Sequence, residues 1–155
     1  MPAQSNLRSL TLGPCACTSV RKTARVLARR FDSALADSGL NITQLAVLRA
    51  LLRHPHEPLS RVAEDLAMDR TSLYRALAAM EKQHWVTTRD GPDGRTRTAV
   101  LTRTGEAVLS RADPRWARTQ RALIECFGAA QWQTLVAELR RLADCAGALK
   151  SMADS

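Results

Sequence analysis

The chain has 155 residues, of which 45% are hydrophobic and 4% aromatic, and its formal net charge is +8. This length suits one domain, and the apolar content excludes an intrinsically disordered chain. The small number of aromatic, glycine and proline residues favours helices over a β-sandwich or barrel. The positive charge favours a polyanionic partner, and arginine, the dominant basic residue, suits phosphates and guanine edges.

No run approaches the roughly 18 apolar residues that a membrane span requires. The start, MPAQSNLRSLTLGP, lacks the pattern of a secretion signal, so we expect a cytoplasmic protein whose four cysteines are thiols. The sequence contains no nucleophile elbow, phosphate loop or zinc-ligand spacing. We therefore expect no enzymatic activity, no cofactor and no metal site.

Residues 1–14 are predicted to form a flexible arm, followed by a helix over residues 15–37 that Ser38-Gly39 ends. Apolar residues recur in this helix at helical spacing: Val20, Ala24, Leu27, Phe31 and Leu35. Thr43 is expected to cap a second helix, which Pro55 and Pro58 close. Ser60 opens a third helix that ends near Leu66.

Asp69 is expected to be the N-cap of a fourth helix that runs to about Gln83. Leu73, Leu77 and Met80 form its buried stripe. The other face carries polar and basic residues, namely Thr71, Ser72, Tyr74 and Arg75. A recognition helix needs this division, because one stripe must be held by the core while the other remains free for base edges.

Two strands are predicted at residues 85–89 and 96–101, on either side of the turn-rich segment DGPDGR. Thr102 is expected to cap the next helix, which Asp113-Pro114 interrupts or kinks and which restarts at Pro114. Gly128 then ends it. A last helix is predicted from about Ala130 to Leu149, with an apolar stripe that suits a dimer interface, packing within its own subunit, or both.

The order and spacing of these features resemble the MarR family of winged helix-turn-helix regulators, from Cys15 to Leu149. The matching segments are Gln44 within ITQLAVL, VAEDL at residues 62–66, Leu73-Tyr74-Arg75 with Leu77, Met80-Glu81-Lys82, Asp93-Gly94-Arg95, and LTRTG at residues 101–105. His84 and Ala67 stand where the family commonly has glycine.

The resemblance implies a single domain over residues 15–155, mainly α in class (α+β). The DNA-binding lobe would comprise residues 40–101, and the dimerisation helices residues 15–37 and 103–150. It implies a homodimer that places its recognition helices in major grooves and its wings in the flanking minor grooves of a palindromic operator. Its function would be transcriptional regulation, most simply repression.

The resemblance also assigns the DNA-contacting residues. Arg95 matches the wing arginine that enters the minor groove, and Asp93 matches the acid that holds it. Base- and phosphate-facing positions match Arg70, Thr71, Ser72, Tyr74 and Arg75, and we expect Arg97 in the second strand to contact DNA as well.

Members of the family commonly bind phenols or aromatic acids near the first, second and fifth helices. In this chain the corresponding cleft would be lined by Val20, Thr23, Leu27, Leu45, Leu48 and Arg49. The same residues are equally what an ordinary hydrophobic core would use, and the sequence leaves both interpretations open.

Two rival interpretations concern the signal and the specificity. A thiol switch would use Cys15 or Cys17, at the start of the first helix, with Cys126. Against it, the hydroperoxide-sensing branch of the family has a tyrosine pair where this chain has Ile42 and Leu45. The other rival is a non-specific architectural DNA-binding protein, which the charge alone would allow.

Overall fold

In the computed structural model, the described part of the chain is residues 13–91 and 96–153, with side chains described as far as residue 149. This part contains six α-helices, one 3₁₀ turn and one pair of strands. In chain order these are α1 Ala16–Leu35, the 3₁₀ turn Ala36–Ser38, α2 Ile42–Arg53, α3 Leu59–Asp65, α4 Arg70–Lys82, β1 Val86–Asp90, β2 Arg97–Leu101, α5 Arg103–Phe127 and α6 Ala129–Ala153. The predicted mainly helical, winged helix-turn-helix fold is confirmed.

The chain divides into two compact units, Met1–Ala112 and Asp113–Ser155. The described residues of the first unit form α1 to α4, the hairpin and the beginning of α5. The second unit contains the remainder of α5 and α6. Within residues 13–91 and 96–153, no helix combines the length and the apolar character that crossing a membrane would require.

A single hydrophobic core organises the first unit, and α2 supplies much of it. The buried side chains of α2 are Leu45, Val47, Leu48, Ala50 and Leu51. Around them lie Phe31 and Leu35 of α1, Leu59 and Val62 of α3, Leu73, Leu77 and Met80 of α4, Val86 and Ala99 of the hairpin, and Val108, Leu109 and Ala112 of α5. Each such leucine or valine contributes about 1.5–3 kcal/mol when it is fully buried.

The N-terminus of α2 corrects one sequence-based prediction, because its cap is Asn41 and not Thr43. The Asn41 side chain accepts a hydrogen bond from the Gln44 amide at 2.8 Å, and the Gln44 side chain accepts one from the Asn41 amide at 3.0 Å. This reciprocal capping box satisfies two backbone donors that a helix start leaves unpaired. Asp32 of α1 accepts from the Ile42 amide at 2.7 Å and ties the two helices together.

The two strands form an antiparallel hairpin in which Val86 is opposite Leu101 and Asp90 is opposite Arg97. Strand β2 also forms an isolated bridge from Thr98 to Pro58, the residue immediately before α3. The hairpin is therefore attached to the helix-turn-helix unit through β2.

Helix α5 corrects a second prediction. The chain does not stop and restart at Asp113-Pro114, since one helix continues from Arg103 to Phe127 with Pro114 inside it. A proline inside a helix removes one hydrogen bond and crowds the carbonyl four residues earlier, but the neighbouring alanines and arginines are strong helix formers. The division into two units nevertheless falls between Ala112 and Asp113.

The beginning of α5 packs closely against the end of α4. Thr102 caps α5 by accepting from the Gly105 amide at 3.1 Å, and its hydroxyl donates to the His84 carbonyl at 2.5 Å. Gly105 is buried, and a Cβ atom placed there would overlap with the Trp85 carbonyl oxygen. Only glycine fits at this point of contact.

We predict that Gly105→Ala destabilises the protein, because the added methyl group overlaps with backbone that cannot move independently. The free energy of unfolding, measured by urea denaturation, should fall by about 1–3 kcal/mol, as in overpacked cores. Gly147→Ala in α6 is the matched control, since nothing lies within 4 Å of its Cβ position. There the change should be neutral or stabilising, because alanine is the better helix former. Equal effects of the two substitutions would contradict this account.

Candidate nucleic-acid interface

Helix α4 has the two-sided character expected of a recognition helix. Leu73, Leu77 and Met80 are buried in the core. Four residues of the opposite side, Arg70, Thr71, Tyr74 and Arg75, are exposed at the surface. We call these four residues the reading face. Their spacing places the Thr71 hydroxyl group, the Tyr74 phenol ring and two guanidinium groups along the same side of one helix.

Asp69 caps α4 as predicted. Its carboxylate accepts from the Ser72 amide at 2.8 Å and from the Ser72 hydroxyl at 2.6 Å. These two bonds, the hydroxyl bond foremost, lower the pKa of the Asp69 carboxyl below its ordinary value. Ser72 was predicted to face DNA, and in the free chain it is half-buried with its hydroxyl bonded to the cap.

The last turn of α4 is joined to β1 through one carboxylate. Glu81 Oε1 accepts from the Thr88 amide at 2.9 Å and from the Thr88 hydroxyl at 2.6 Å. The hydroxyl bond, followed by the amide bond, lowers the pKa of the Glu81 carboxyl. Glu81 is therefore ionised at neutral pH and holds the strand on the end of the recognition helix.

Arg97 of β2 lies against three groups of the same lobe. Its Nη2 donates to Thr88 Oγ1 at 3.0 Å, and its Nε lies 3.8 Å from Asp90 Oδ1. Its guanidinium carbon lies 5.8 Å from the centre of the Tyr74 ring, within the range of a cation–π contact. Arg97 and Tyr74 were both predicted to contact DNA, and here they also contact each other.

The tip of the hairpin, residues 92–95, is outside the described residues. The predicted minor-groove arginine Arg95 and its supporting acid Asp93 fall within it, so their roles remain predictions. The strands on either side are described as far as Gly91 and Thr96, where the Gly91 amide donates to the Thr96 carbonyl at 2.7 Å.

The six residues predicted to line a ligand cleft differ in exposure. Leu45 and Leu48 are fully buried and belong to the core. Leu27 and Arg49 are half-buried, whereas Val20 and Thr23 are exposed on α1. In the single chain, the buried and exposed members of this set do not share one environment.

All four cysteines are free thiols and exposed: Cys15, Cys17, Cys126 and Cys145. Cys15 is the residue immediately before α1. Hydrogen bonds from Thr18, from its hydroxyl first and then from its amide, lower the pKa of the Cys15 thiol. Cys15 is thus favoured as a thiolate at the start of a helix.

His54, at the end of α2, lies beside the ion pair of Arg53 and Asp65, which joins α2 to α3. Arg53 Nη2 lies 2.7 Å from Asp65 Oδ2, and His54 lies 3.5 Å from both Glu57 and Asp65. The hydrogen bond from Arg53 is the main cause that lowers the pKa of the Asp65 carboxyl. These contacts hold the end of α2 against the end of α3, the helix that precedes α4.

Sequence reasoning missed the contacts that orient the hairpin. Glu81 was recognised only as part of a matching segment, and Thr88 was recognised only as a strand residue. Seven residues separate them, and no periodicity predicts that a carboxylate at a helix end will accept from a particular strand residue. The bridge between Pro58 and Thr98 is likewise a tertiary contact without a local signal.

Comparison with known proteins places this lobe among characterised DNA-binding units. The sequence model of the IclR helix-turn-helix domain matches residues 44–90. That range contains α3, α4 and β1 and most of α2. A search of the curated proteins found no match.

Solved structures match over most of the chain. The M. tuberculosis transcriptional regulator MosR, in a structure with DNA, is 31% identical, with 85% of this chain and 98% of that chain covered and a TM-score of 0.76. The PcaV transcriptional regulator from Streptomyces coelicolor, in complex with its natural ligand, is 21% identical over 94% and 99%, with a TM-score of 0.76. A MarR family transcription regulator is 22% identical over 84% and 90%, with a TM-score of 0.69.

Proposed function

The chain belongs to the MarR family of winged helix-turn-helix transcriptional regulators, and from that premise we propose that it is a homodimeric repressor. In this proposal the dimer occupies a palindromic operator and leaves it when a small aromatic or anionic ligand binds. The observation that carries the proposal is the reading face, Arg70, Thr71, Tyr74 and Arg75, exposed on a helix that the core holds from behind.

The chemistry of the reading face suits double-stranded DNA. A guanidinium group can donate two parallel hydrogen bonds to guanine or to a phosphate, and threonine can contact either a base or the thymine methyl. The hairpin beside α4 would carry Arg95 towards the adjacent minor groove, as in other winged proteins. The net charge of +8 supports the association.

A second copy of the chain is the proposed partner of α6. Over residues 129–149 no side chain of this helix is buried, although Leu139, Leu142 and Leu149 are 41%, 44% and 63% exposed. On α1, Val20 and Val26 are exposed as well. Two long helices with exposed apolar residues favour association, and a two-fold dimer would present two recognition helices to one face of the duplex.

Ligand control would act through the separation of the two recognition helices. Half-sites that are read from one face lie about 34 Å apart, one turn of B-DNA, so a small rotation of either lobe loses the register. PcaV was solved with its natural ligand, which supports a small-molecule effector here. Release from DNA by a panel of aromatic acids, followed by fluorescence anisotropy, measures this part of the proposal.

A second candidate function is a thiol switch, favoured by the exposure and the lowered thiol pKa of Cys15. Cys15, or its neighbour Cys17, would pair with Cys126 across the dimer. Oxidation would then replace ligand binding as the signal that releases DNA.

We predict that Arg75→Ala and Arg95→Ala weaken binding to a duplex that the wild-type chain selects from a random-sequence pool. The loss should be roughly 10- to 100-fold if each arginine contacts a base, and smaller on random DNA. Arg118→Ala, an exposed arginine of α5 with the same change in charge, is the control. Wild-type affinities that are equal for selected and random DNA at about 150–200 mM salt would refute specific recognition.

We predict that Leu142→Glu in α6 separates the dimer. Burying an unpaired carboxylate in an apolar interface costs several kcal/mol, so dimer affinity should fall by roughly 100-fold or more. Sedimentation equilibrium measures this loss. Ala137→Glu, on the opposite and exposed face of α6, should leave the mass unchanged. A Leu142→Glu protein with the wild-type mass would remove α6 from the interface.

We predict that Cys15 reacts with iodoacetamide faster than Cys17, Cys126 or Cys145. A lowered pKa gives more thiolate at neutral pH, and the rate should rise with pH through a lower midpoint. Mass spectrometry of timed digests measures each site. For the switch itself, peroxide should reduce duplex affinity in the wild type and not in Cys126→Ser or in the double variant Cys15→Ser/Cys17→Ser. The same response in all three proteins would exclude a switch based on these residues.

A further inference from the structure

We propose that Glu81, Thr88, Arg97 and Tyr74 form a positioning relay that fixes the hairpin against the recognition helix, so that Arg97 and Tyr74 serve DNA binding through geometry. The inference rests on the proposed recognition of DNA by α4 and the hairpin together. It assigns a role to Thr88, a residue that belongs neither to the reading face nor to the tip of the hairpin.

The relay contacts the recognition helix at two points. Tyr74 and Glu81 are seven residues apart on α4, which is about two turns and roughly 10 Å along the same edge. Arg97 lies against the Tyr74 ring, and Thr88 is bonded to the Glu81 carboxylate. One point of contact would leave the hairpin free to rotate about it, whereas two points define its orientation.

On the hairpin, the relay residues share one face. Thr88 is opposite Ala99, and Asp90 is opposite Arg97. Because side chains alternate along a strand, Thr88, Asp90 and Arg97 project to the same side as buried Val86 and Ala99. That side faces the helices, whereas Thr87 lies on the other side and is exposed.

The Thr88 hydroxyl gives the relay its direction. A hydroxyl has one proton, and an ionised carboxylate can only accept, so Thr88 donates to Glu81 at 2.6 Å. Its lone pairs then accept from Arg97 Nη2 at 3.0 Å. Serine preserves both bonds, whereas valine, of similar shape, preserves neither.

The Arg97 guanidinium group is therefore engaged at the surface of its own lobe by Thr88, Asp90 and the Tyr74 ring, with 49% of its side chain exposed. An arginine engaged in this way orients the strand that leads to the tip at residues 92–95. A pre-oriented wing avoids the loss of conformational entropy that a swinging hairpin would incur on entering the minor groove.

The test compares Thr88→Val with Thr88→Ser and with Thr87→Val, the same change on the outer face. Each protein is bound to the duplex selected by the wild type. Hydroxyl-radical cleavage reports the flanking minor grooves, and dimethyl sulfate reports guanine N7 in the major groove. Thr88→Val should lose minor-groove protection and roughly tenfold in affinity, and keep major-groove protection. Thr88→Ser and Thr87→Val should behave as the wild type.

Two outcomes would overturn the relay. In one, Thr88→Val binds and protects DNA as the wild type does. In the other, it loses both kinds of protection equally together with a lower Tm, which a merely structural role predicts. Arg97→Ala provides a further test, in which affinity is measured as a function of salt concentration. If Arg97 contacts a phosphate directly, its replacement should reduce the slope of log affinity against log salt by about one, both in the wild type and in the Thr88→Val protein. The relay predicts that Arg97→Ala lowers the affinity without changing this slope, because Arg97 acts through Thr88, Asp90 and the Tyr74 ring.

The relay can also be judged separately from DNA recognition. If the wild type selects no duplex, the proposed specific binding fails. Hydrogen exchange of the free protein then decides: Thr88→Val should accelerate exchange of the Gly91 amide, at the far end of the strands, relative to Thr87→Val. Exchange that is equal in the two variants would overturn the relay.

Discussion

The lobe depends on one constraint: helix α4 must be held firmly by one side while its other side stays free. Leu73, Leu77 and Met80 meet that constraint by burial against α2 and the sheet. Asp69 fixes where the helix begins, and Glu81 joins its end to β1. The reading face and the hairpin are then placed relative to this helix. The reading face follows from its helical phase, and the hairpin follows from the contacts at its end.

At α4, acidic and basic side chains have different roles. The carboxylates of Asp69 and Glu81 accept hydrogen bonds from backbone and hydroxyl donors of the lobe, and these bonds lower the pKa of both groups. Arg70 and Arg75 remain exposed on α4. At α4, the carboxylates of Asp69 and Glu81 therefore support the fold, while Arg70 and Arg75 provide the surface. This division explains how a chain with a net charge of +8 has a compact lobe. Among the described residues, no buried side-chain polar atom lacks a hydrogen-bond partner.

The second unit follows different physics. The first unit closes its own core, but α6 exposes its leucines along most of its described length. Helix α6 has 25 residues, and none of its side chains is buried over residues 129–149. Because helical stability in proteins comes chiefly from packing, this helix gains little stability by itself. The proposed dimer involves this part of the molecule, whereas the residues proposed to line a ligand cleft lie in the first unit.

Local patterns in the sequence determined the helices, the strand pair, the Asp69 cap and the two faces of α4, because caps and apolar periodicity act over a few residues. Local reasoning failed where two signals compete or where the neighbour is distant. The sequence predicts Thr43 as the cap of α2, but the cap is Asn41, whose capping box with Gln44 satisfies two backbone donors. It also predicts that Asp113-Pro114 interrupts or kinks a helix that instead continues through Pro114 among strong helix formers. Only the tertiary structure decided that Thr88 bonds to Glu81, that Arg97 lies against Tyr74, and that Gly105 must be glycine beneath Trp85. These contacts join residues whose spacing carries no periodic signal, and they exist because the core brings the end of α4, the hairpin and the beginning of α5 to one place.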